Sequence, residues 1–525
     1  MQVLQRAAHP AERGAVLGQL LVRLPEEGER PVEVAAVHRA QDRPRPRVAA
    51  ARDQGEERVQ GQAVRGRVHP VARRAALGLR QDALLLVVAD RLGGEAMRPR
   101  QVHGAQSRWR VLRHRLEFSG KSFNGVFNDT VEGMKHQQID LVSFLDSCPT
   151  ETRLLALGEP MHGSEEVLRA RNAVIEDLVL RGGYRSIAVE SDLHRGPLVD
   201  AYIGGADVAL DRVLDEGFSH PYVHRLAATG ELLQRLRELN RTLTTPVRFY
   251  GFDGPMEMAA APSPRAYLLR LRDALAELAP GVVAEDELDA LLGDDARWTE
   301  ERAMYEADRG VGRTVDADRL RVLADDLCAL LAERAPDLAE RGDAWWWLRA
   351  DAETTVGLLR YHAIMATDTP DRLGRLSAHR DAMMGGNLMA ILEREQGRGG
   401  TIAFAHNLHL QRGVSEMRMG PHPVRWFSGG AQAAARLGEG YRFVAMALGT
   451  APAHGLGVPA PGTVEGDLNR DQDVPARLYS GQELAARLGA APAREDRDAL
   501  GAYFPLEADR LGTTDAVLFL REVRA

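Results

Sequence analysis

The sequence predicts an α/β protein: a mainly parallel sheet with its active site at the strand ends and a helical cap inserted over the sheet edge. Two observations carry this reading. Four short apolar runs between turn signals read as buried strands, and each leads into an ionisable residue. Arg153–Leu157 runs into Gly158-Glu159-Pro160-Met161-His162-Gly163, Ser186–Val189 stops at Glu190, Val247–Phe252 stops at Asp253, and Thr401–Ala405 stops at His406. Helical stretches separate the runs, as parallel strands joined by crossovers require. Ligands of an open parallel sheet bind outside the carboxyl ends of its strands, so Glu159, His162, Glu190, Asp253 and His406 are expected on one rim. A single carboxylate after a strand often only caps the next helix, and a single histidine there is often structural. Five such groups at one edge point to a shared site.

Taken in order, residues 1–115 are rich in Arg, Ala, Val, Gln and Gly and show neither helical nor strand periodicity. Such a stretch buries too little apolar surface to offset its ordering entropy. Residues 1–133 carry 23 Lys+Arg against 15 Asp+Glu, while the rest carries 44 against 60. Lys121 and Lys135 are the only lysines. The expectation is that the natural protein starts at or near Met134 and that 1–133 is disordered or translated upstream sequence. The alternative is a basic arm that binds nucleic acid or an anionic surface. From Met134 onward one domain, 134–525, is expected. A helix over about Ser164–Leu180 is closed by Gly182-Gly183, and further helices run to about Asn240. Residues 262–396 carry no strand signal and read as a helical insertion, with helices at Leu320–Ala332 and from Ala344 to about Ala366. Strands are expected at Tyr441–Leu448 and Ala516–Leu520, and Ala451–Val474 reads as a long surface loop.

Composition narrows the function. Cys148 and Cys328 are the only cysteines, too few for a disulfide framework or a Cys-rich zinc site. The mildly acidic body does not suggest a nucleic-acid surface. No run approaches a membrane span, the apolar stretch Ala83–Ala89 being far too short, and no secretory signal is evident. A cytoplasmic protein with no membrane or nucleic-acid partner is expected. The chain has no Gly-x-Ser-x-Gly elbow, no phosphate-binding Gly-x-x-x-x-Gly-Lys, no His-Glu-x-x-His and no strand-linked Gly-x-Gly-x-x-Gly.

What remains is Gly158-Glu159-Pro160-Met161-His162-Gly163, Val189-Glu190, Phe252-Asp253, the segment His379-Arg380-Asp381-Ala382-Met383-Met384-Gly385-Gly386-Asn387, and Phe404-Ala405-His406-Asn407-Leu408-His409. In this order, over about Ile139 to Leu520, they make the chain resemble the erythromycin esterase family of macrolide-lactone hydrolases. The resemblance implies that His162 activates water for attack on a carboxylic ester, that Glu159 lies beside it, and that Arg171, Glu190, Arg380 and His406 are the other active-site positions. Asp253, Met384 and Asn387 are expected to contact the substrate, a small-molecule ester. No cofactor is expected. The chain departs from the family pattern at Met161, where a small hydroxyl residue is common, and at Gly385-Gly386, where Ala-Glu is more usual.

The chemistry of these residue types agrees with that expectation. Ester hydrolysis needs a base for water and a donor or cation for the oxyanion. Imidazole ionises near ~6.5, and a carboxylate such as Glu159 or Glu190 can orient and charge-balance it. Arg171 and Arg380 are permanent cations suited to a carbonyl oxygen. Two alternatives remain at this level. His162, Glu190 and His406 are also candidate ligands for a divalent metal that activates water. Alternatively, Trp345-Trp346-Trp347 and Tyr361-His362 line an apolar pocket in a protein that binds a hydrophobic ligand without turnover.

Overall fold

A computed structural model describes residues 140–524, apart from 149, 220–224, 257–260, 472 and 499–501. The reading of residues 1–133, and the start at Met134, fall outside the described residues.

The strands are β1 (Leu154–Glu159), β2 (Tyr184–Asp192), β3 (Arg248–Asp253), β4 (Gly400–His406), β5 (Val414–Met419), β6 (His422–Phe427), β7 (Tyr441–Thr450), β8 (Ala476–Ser480) and β9 (Ala516–Glu522). Seven of them form one sheet in the order β3-β2-β4-β1-β7-β9-β8. Every neighbouring pair is parallel except the edge pair β8–β9. The expected parallel α/β fold is therefore the fold observed.

Strands β5 and β6 form a separate antiparallel hairpin. They and β8 escape a search for apolar runs for a physical reason. The hairpin alternates buried with exposed or charged residues, such as Glu416, Arg418 and Arg425, and β8 is a half-buried edge strand. The Gly- and Pro-rich stretch expected as a loop over Ala451–Val474 contains a helix, Val464–Asp471. Only Val464 and Leu468 give it an apolar stripe, too little for periodicity to register.

The sheet is covered on both faces, and the pleat sorts its side chains. Leu155 and Leu157 of β1 pack with the helix Glu165–Leu180 (α1) through Val167, Val174 and Ile175. Leu154 and Ala156 point to the opposite face, with Ala188, Ala403, Ala405 and Ala445. Those small residues let a long helix, Arg372–Arg394, lie close, burying Met384, Leu388 and Ile391. Truncating a leucine packed this way costs about 2–5 kcal/mol.

Between β3 and β4 the described chain is helical. Its helices include Val315–Glu333, Asp343–Met365 (α2) and Arg372–Arg394 (α3). The first two, with the helices Arg265–Ala276 and Glu285–Leu292, enclose a leucine-rich core of their own. Of the tryptophans expected to line a pocket, Trp346 is buried and donates through its indole N–H to the Ala390 carbonyl at 3.2 Å, whereas Trp347 is part-buried and borders a cavity of about 180 Å³ with Leu193, Tyr250 and Arg394. Among the described residues no helix is long and apolar enough to cross a membrane.

Candidate active site

Chain order and sheet order together mark one crevice. From β1 the chain crosses past the place of β4 to reach β2, and from β4 it returns past β1 to reach β7. The two connections leave in opposite directions, so a crevice opens at the carboxyl ends of β1 and β4. The last register pair of those strands is Glu159 with His406.

Local sequence shapes each side of the crevice. At Gly158 a Cβ would lie 1.9 Å from Asn407 Oδ1, so only glycine fits there. The Asn407 amide passes over Gly158, donates to the Met446 carbonyl at 2.8 Å and accepts from Met446 N at 3.3 Å, tying β4 to β7 across β1. Past β1 the chain turns at Gly163, whose φ of 85° is the left-handed region that favours glycine. Ser164 then caps α1, its hydroxyl accepting from Val167 N at 3.4 Å. His162 therefore stands at the mouth of that turn, beside the N-terminus of α1.

His162 Nδ1 lies 2.7 Å from Glu159 Oε2, while the other carboxylate oxygen, Oε1, is buried with no hydrogen-bond partner. Burial alone would push the imidazole down. The charge and hydrogen bond of Glu159, with the charge of Glu190, outweigh it and raise the His162 pKa to about 9. The His162 ring is 5.4 Å from the His406 ring, centroid to centroid. His406 is the opposite case. Its Nδ1 accepts from Leu408 N at 3.2 Å and its Nε2 meets the Ala502 carbonyl at 3.1 Å. Burial, then the positive charge of His162, holds its pKa down at about 3, so it is a neutral imidazole with its proton on Nε2.

The rest of the rim is a closed ionic network. Arg380 on α3 donates through Nε to both Asp253 oxygens, at 3.1 and 3.0 Å, and through Nη2 to Asp253 at 2.5 Å and to Glu190 at 3.1 Å. Glu190 Oε2 also accepts from His406 N at 2.9 Å. Burial opposes ionisation of Glu190, but His409, His162 and Arg380 hold its carboxyl well below the usual range. Burial likewise opposes the charge on Arg380, and Asp253 and Glu190 overcome it. His409, on the short helix Asn407–Leu410 (α4), places Nδ1 3.0 Å from both oxygens of Asp381 and Nε2 3.4 Å from Glu190. Asp381 in turn accepts from Gly429 N at 2.8 Å. His409 and Asp381 were not singled out from sequence. The available signal was spacing: a histidine three residues after His406 on a helical turn returns to the same side.

Glu159, His162, Glu190, Asp253, Arg380 and His406 are thus brought together. Three of the nine expected positions lie elsewhere. The Arg171 guanidinium stacks 4.8 Å from the Phe404 ring and donates to Asn172, in the interface between α1 and the sheet. Met384 is wholly buried in the core beneath α3. Asn387 donates to the Phe252 carbonyl at 3.0 Å, bracing β3. The physical reason is axial rise. Arg380, Met384 and Asn387 share one face of α3, but at 1.5 Å per residue Asn387 sits about 10 Å along the helix from Arg380, where its amide meets the Phe252 and Asp253 carbonyls at the end of β3 from below.

The departures from the family pattern also fall outside the crevice. Met161 is buried in the core beneath α1. Gly385 lets α3 approach the helix Gly429–Leu437, and Gly386 is exposed with open space where a Cβ would stand. A divalent metal finds no matching donor set, because both His406 nitrogens are engaged. Among the described residues no group of three His, Cys, Asp or Glu is arranged to hold an ion.

Comparison with known proteins agrees with this architecture. A family model described as erythromycin esterase matches residues 179–523, a span that includes Glu190, Asp253, Arg380 and His406 and begins after His162. No curated protein matches the chain. Among solved structures, a Bacillus cereus protein aligns with a TM-score of 0.55 at 16% identity, over 73% of this chain and 91% of that one. A succinoglycan biosynthesis protein aligns with a TM-score of 0.54 at 14% identity, over 77% and 99%. An erythromycin esterase, EreC, solved as a histidine-to-asparagine mutant in its open conformation, aligns with a TM-score of 0.51 at 19% identity, over 76% and 93%. At such identities the likeness is one of fold.

Proposed function

The chain belongs to the erythromycin esterase family, and on that footing we propose that it hydrolyses a carboxylic ester, a macrocyclic lactone of the macrolide kind, with water activated at His162. Such a reaction would inactivate a macrolide antibiotic. The observation that carries this reading is the Glu159–His162 pair at the switch point. Glu159 engages Nδ1 at 2.7 Å, which leaves Nε2 as the nitrogen that meets water and substrate.

In this reading neutral His162 removes a proton from water as the oxygen attacks the ester carbonyl. The imidazolium that results is stabilised by Glu159 and by the field of Glu190. The proton then passes to the leaving alkoxide as the acyl–oxygen bond breaks, giving an alcohol and a carboxylic acid that loses its proton to solvent. The N-terminal amides of α1, with the helix dipole behind them, serve the developing oxyanion. Arg380 holds the rim together, its Nε and Nη2 donating to Asp253 and Glu190 and its Nη1 lying 3.4 Å from His409 Nε2.

The test is to incubate the protein with lactones of several ring sizes and look for a product heavier by one water. Wild type should form it and His162→Ala should not. A His162→Ala variant of near-normal rate would remove His162 as the base. Activity is expected to survive exhaustive chelation, because the donor set does not fit a metal.

A further inference from the structure

One face of His406 is set by a strap outside the rim, and the strap is unusually well anchored. Ala502 gives its carbonyl to His406 Nε2 at 3.1 Å, and the Phe504 ring packs edge-on against the His406 ring at 5.3 Å. Tyr503, between them, points away from the crevice and is 1% exposed. Its hydroxyl donates to Glu465 Oε1 at 3.1 Å and accepts from Leu448 N, in β7, at 3.3 Å. Glu465 Oε1 also accepts from Leu506 N at 2.8 Å, so one carboxylate oxygen grips the strap at two points. Arg494 backs the Tyr503 ring at 5.2 Å and donates to the Leu448 and Gly449 carbonyls. A phenol hydroxyl and a carboxylate buried this deeply are costly to place, and surface attachment of a loop does not require them.

We propose that Tyr503, anchored by Glu465, is a positioning residue that holds the Ala502 carbonyl and the Phe504 ring against His406 and so fixes the tautomer and orientation of that histidine. With Nδ1 taken by Leu408 N, the imidazole has one arrangement that satisfies both nitrogens: Nδ1 bare and Nε2 protonated toward Ala502. Loss of the anchor releases Nε2, and the ring gains a second tautomer and a second orientation beside His162. The division of labour is that of a buried group orienting a histidine from behind. The catalytic consequence rests on the reading of His406 as part of the hydrolytic site, whereas the tautomer does not.

The experiment is nitrogen NMR of the full chain labelled in histidine, with His406 assigned by a His406→Gln variant, alongside lactone kinetics. Wild type should show a single neutral His406 protonated on Nε2. Tyr503→Phe, which keeps the ring, should show a mixture of tautomers. Its kcat should fall about tenfold with KM nearly unchanged, the effect of about one lost hydrogen bond acting through position. Glu465→Gln, which keeps an acceptor oxygen, should retain the wild-type tautomer, and Glu465→Ala should reproduce the Tyr503→Phe spectrum. A wild-type spectrum in both Tyr503→Phe and Glu465→Ala would overturn the proposal, as would an equal loss of rate in Glu465→Gln and Glu465→Ala. If wild type cleaves no lactone, the hydrolase reading fails and the spectra alone decide the role of Tyr503.

Discussion

On the β2–β3 side of the rim Arg380 is held by Asp253 and Glu190, and His409 by Asp381 and Glu190. On the β1 side His162 has one bond, to Glu159, whose second oxygen has none. The first side is deeply buried, whereas the His162 side chain is 35% exposed. The contrast separates scaffold from chemistry. A network whose donors and acceptors are matched resists rearrangement and has little left to offer a substrate. A part-exposed imidazole with one ring nitrogen fixed by a carboxylate has its other nitrogen left for water.

Breaking each side should therefore damage a different property. His162→Ala is expected to lower kcat by roughly a thousandfold, and calorimetry beside the lactone assay at about pH 10, where the pair with Glu159 no longer contributes to stability, should show an unfolding transition close to that of wild type. Arg380→Met should do the reverse in kind. It strands Asp253 and Glu190 in the interior and should cost about 3–5 kcal/mol of stability, read from urea unfolding. If Arg380→Met proved as stable as wild type, the β2–β3 side would not be the scaffold.

Glu159→Gln sharpens the comparison. It removes the charge that raises the His162 pKa, so kcat should fall about ten- to a hundredfold and the rising limb of the pH–rate profile should move to lower pH. A limb that stayed in place would mean that Glu159 does not govern His162. Gly386→Ala, far from both sides, should leave the kinetics unchanged and raise stability by about 0.5–1 kcal/mol. Gly386 is a helical residue with open space around its missing side chain, so thermal unfolding is a sufficient check.

Much of this fold was legible because buried parallel strands are continuous apolar runs. β1, β3 and β4 end at the ionisable residue that closes each run, β2 continues two residues past Glu190 to Asp192, and the residues that close the four runs share an edge by topology alone. β5, β6 and β8 were not legible because each exposes one face or an edge to water and carries no such run. The expected residues that close strand runs converge at the rim, whereas those whose placement depends on depth along a helix lie elsewhere. Arg171 lies six residues into α1, about 9 Å from its start, where a cation finds Phe404 and Asn172 rather than a substrate. Met384 shares the face of Arg380 but reaches the core. His409 and Asp381 sit beside residues that were singled out, yet their pairing across α3 and α4 depends on how two helices dock, which no spacing within either helix specifies. The Tyr503–Glu465 anchor joins segments with no common motif and was invisible for the same reason.

The raised pKa of His162 gives the account its most direct test. Below about 6.5 the imidazolium–carboxylate pair contributes its full share to stability, and that share is lost as pH rises through about 9. Catalysis runs the other way, because only the neutral ring accepts a proton from water. The measurement is kcat/KM for a cleaved lactone from about pH 6 to about pH 10 in the wild-type protein. The account predicts a rate that climbs with pH and levels off near 9. A rate that is flat across that range, or that falls as His162 loses its proton, would contradict it.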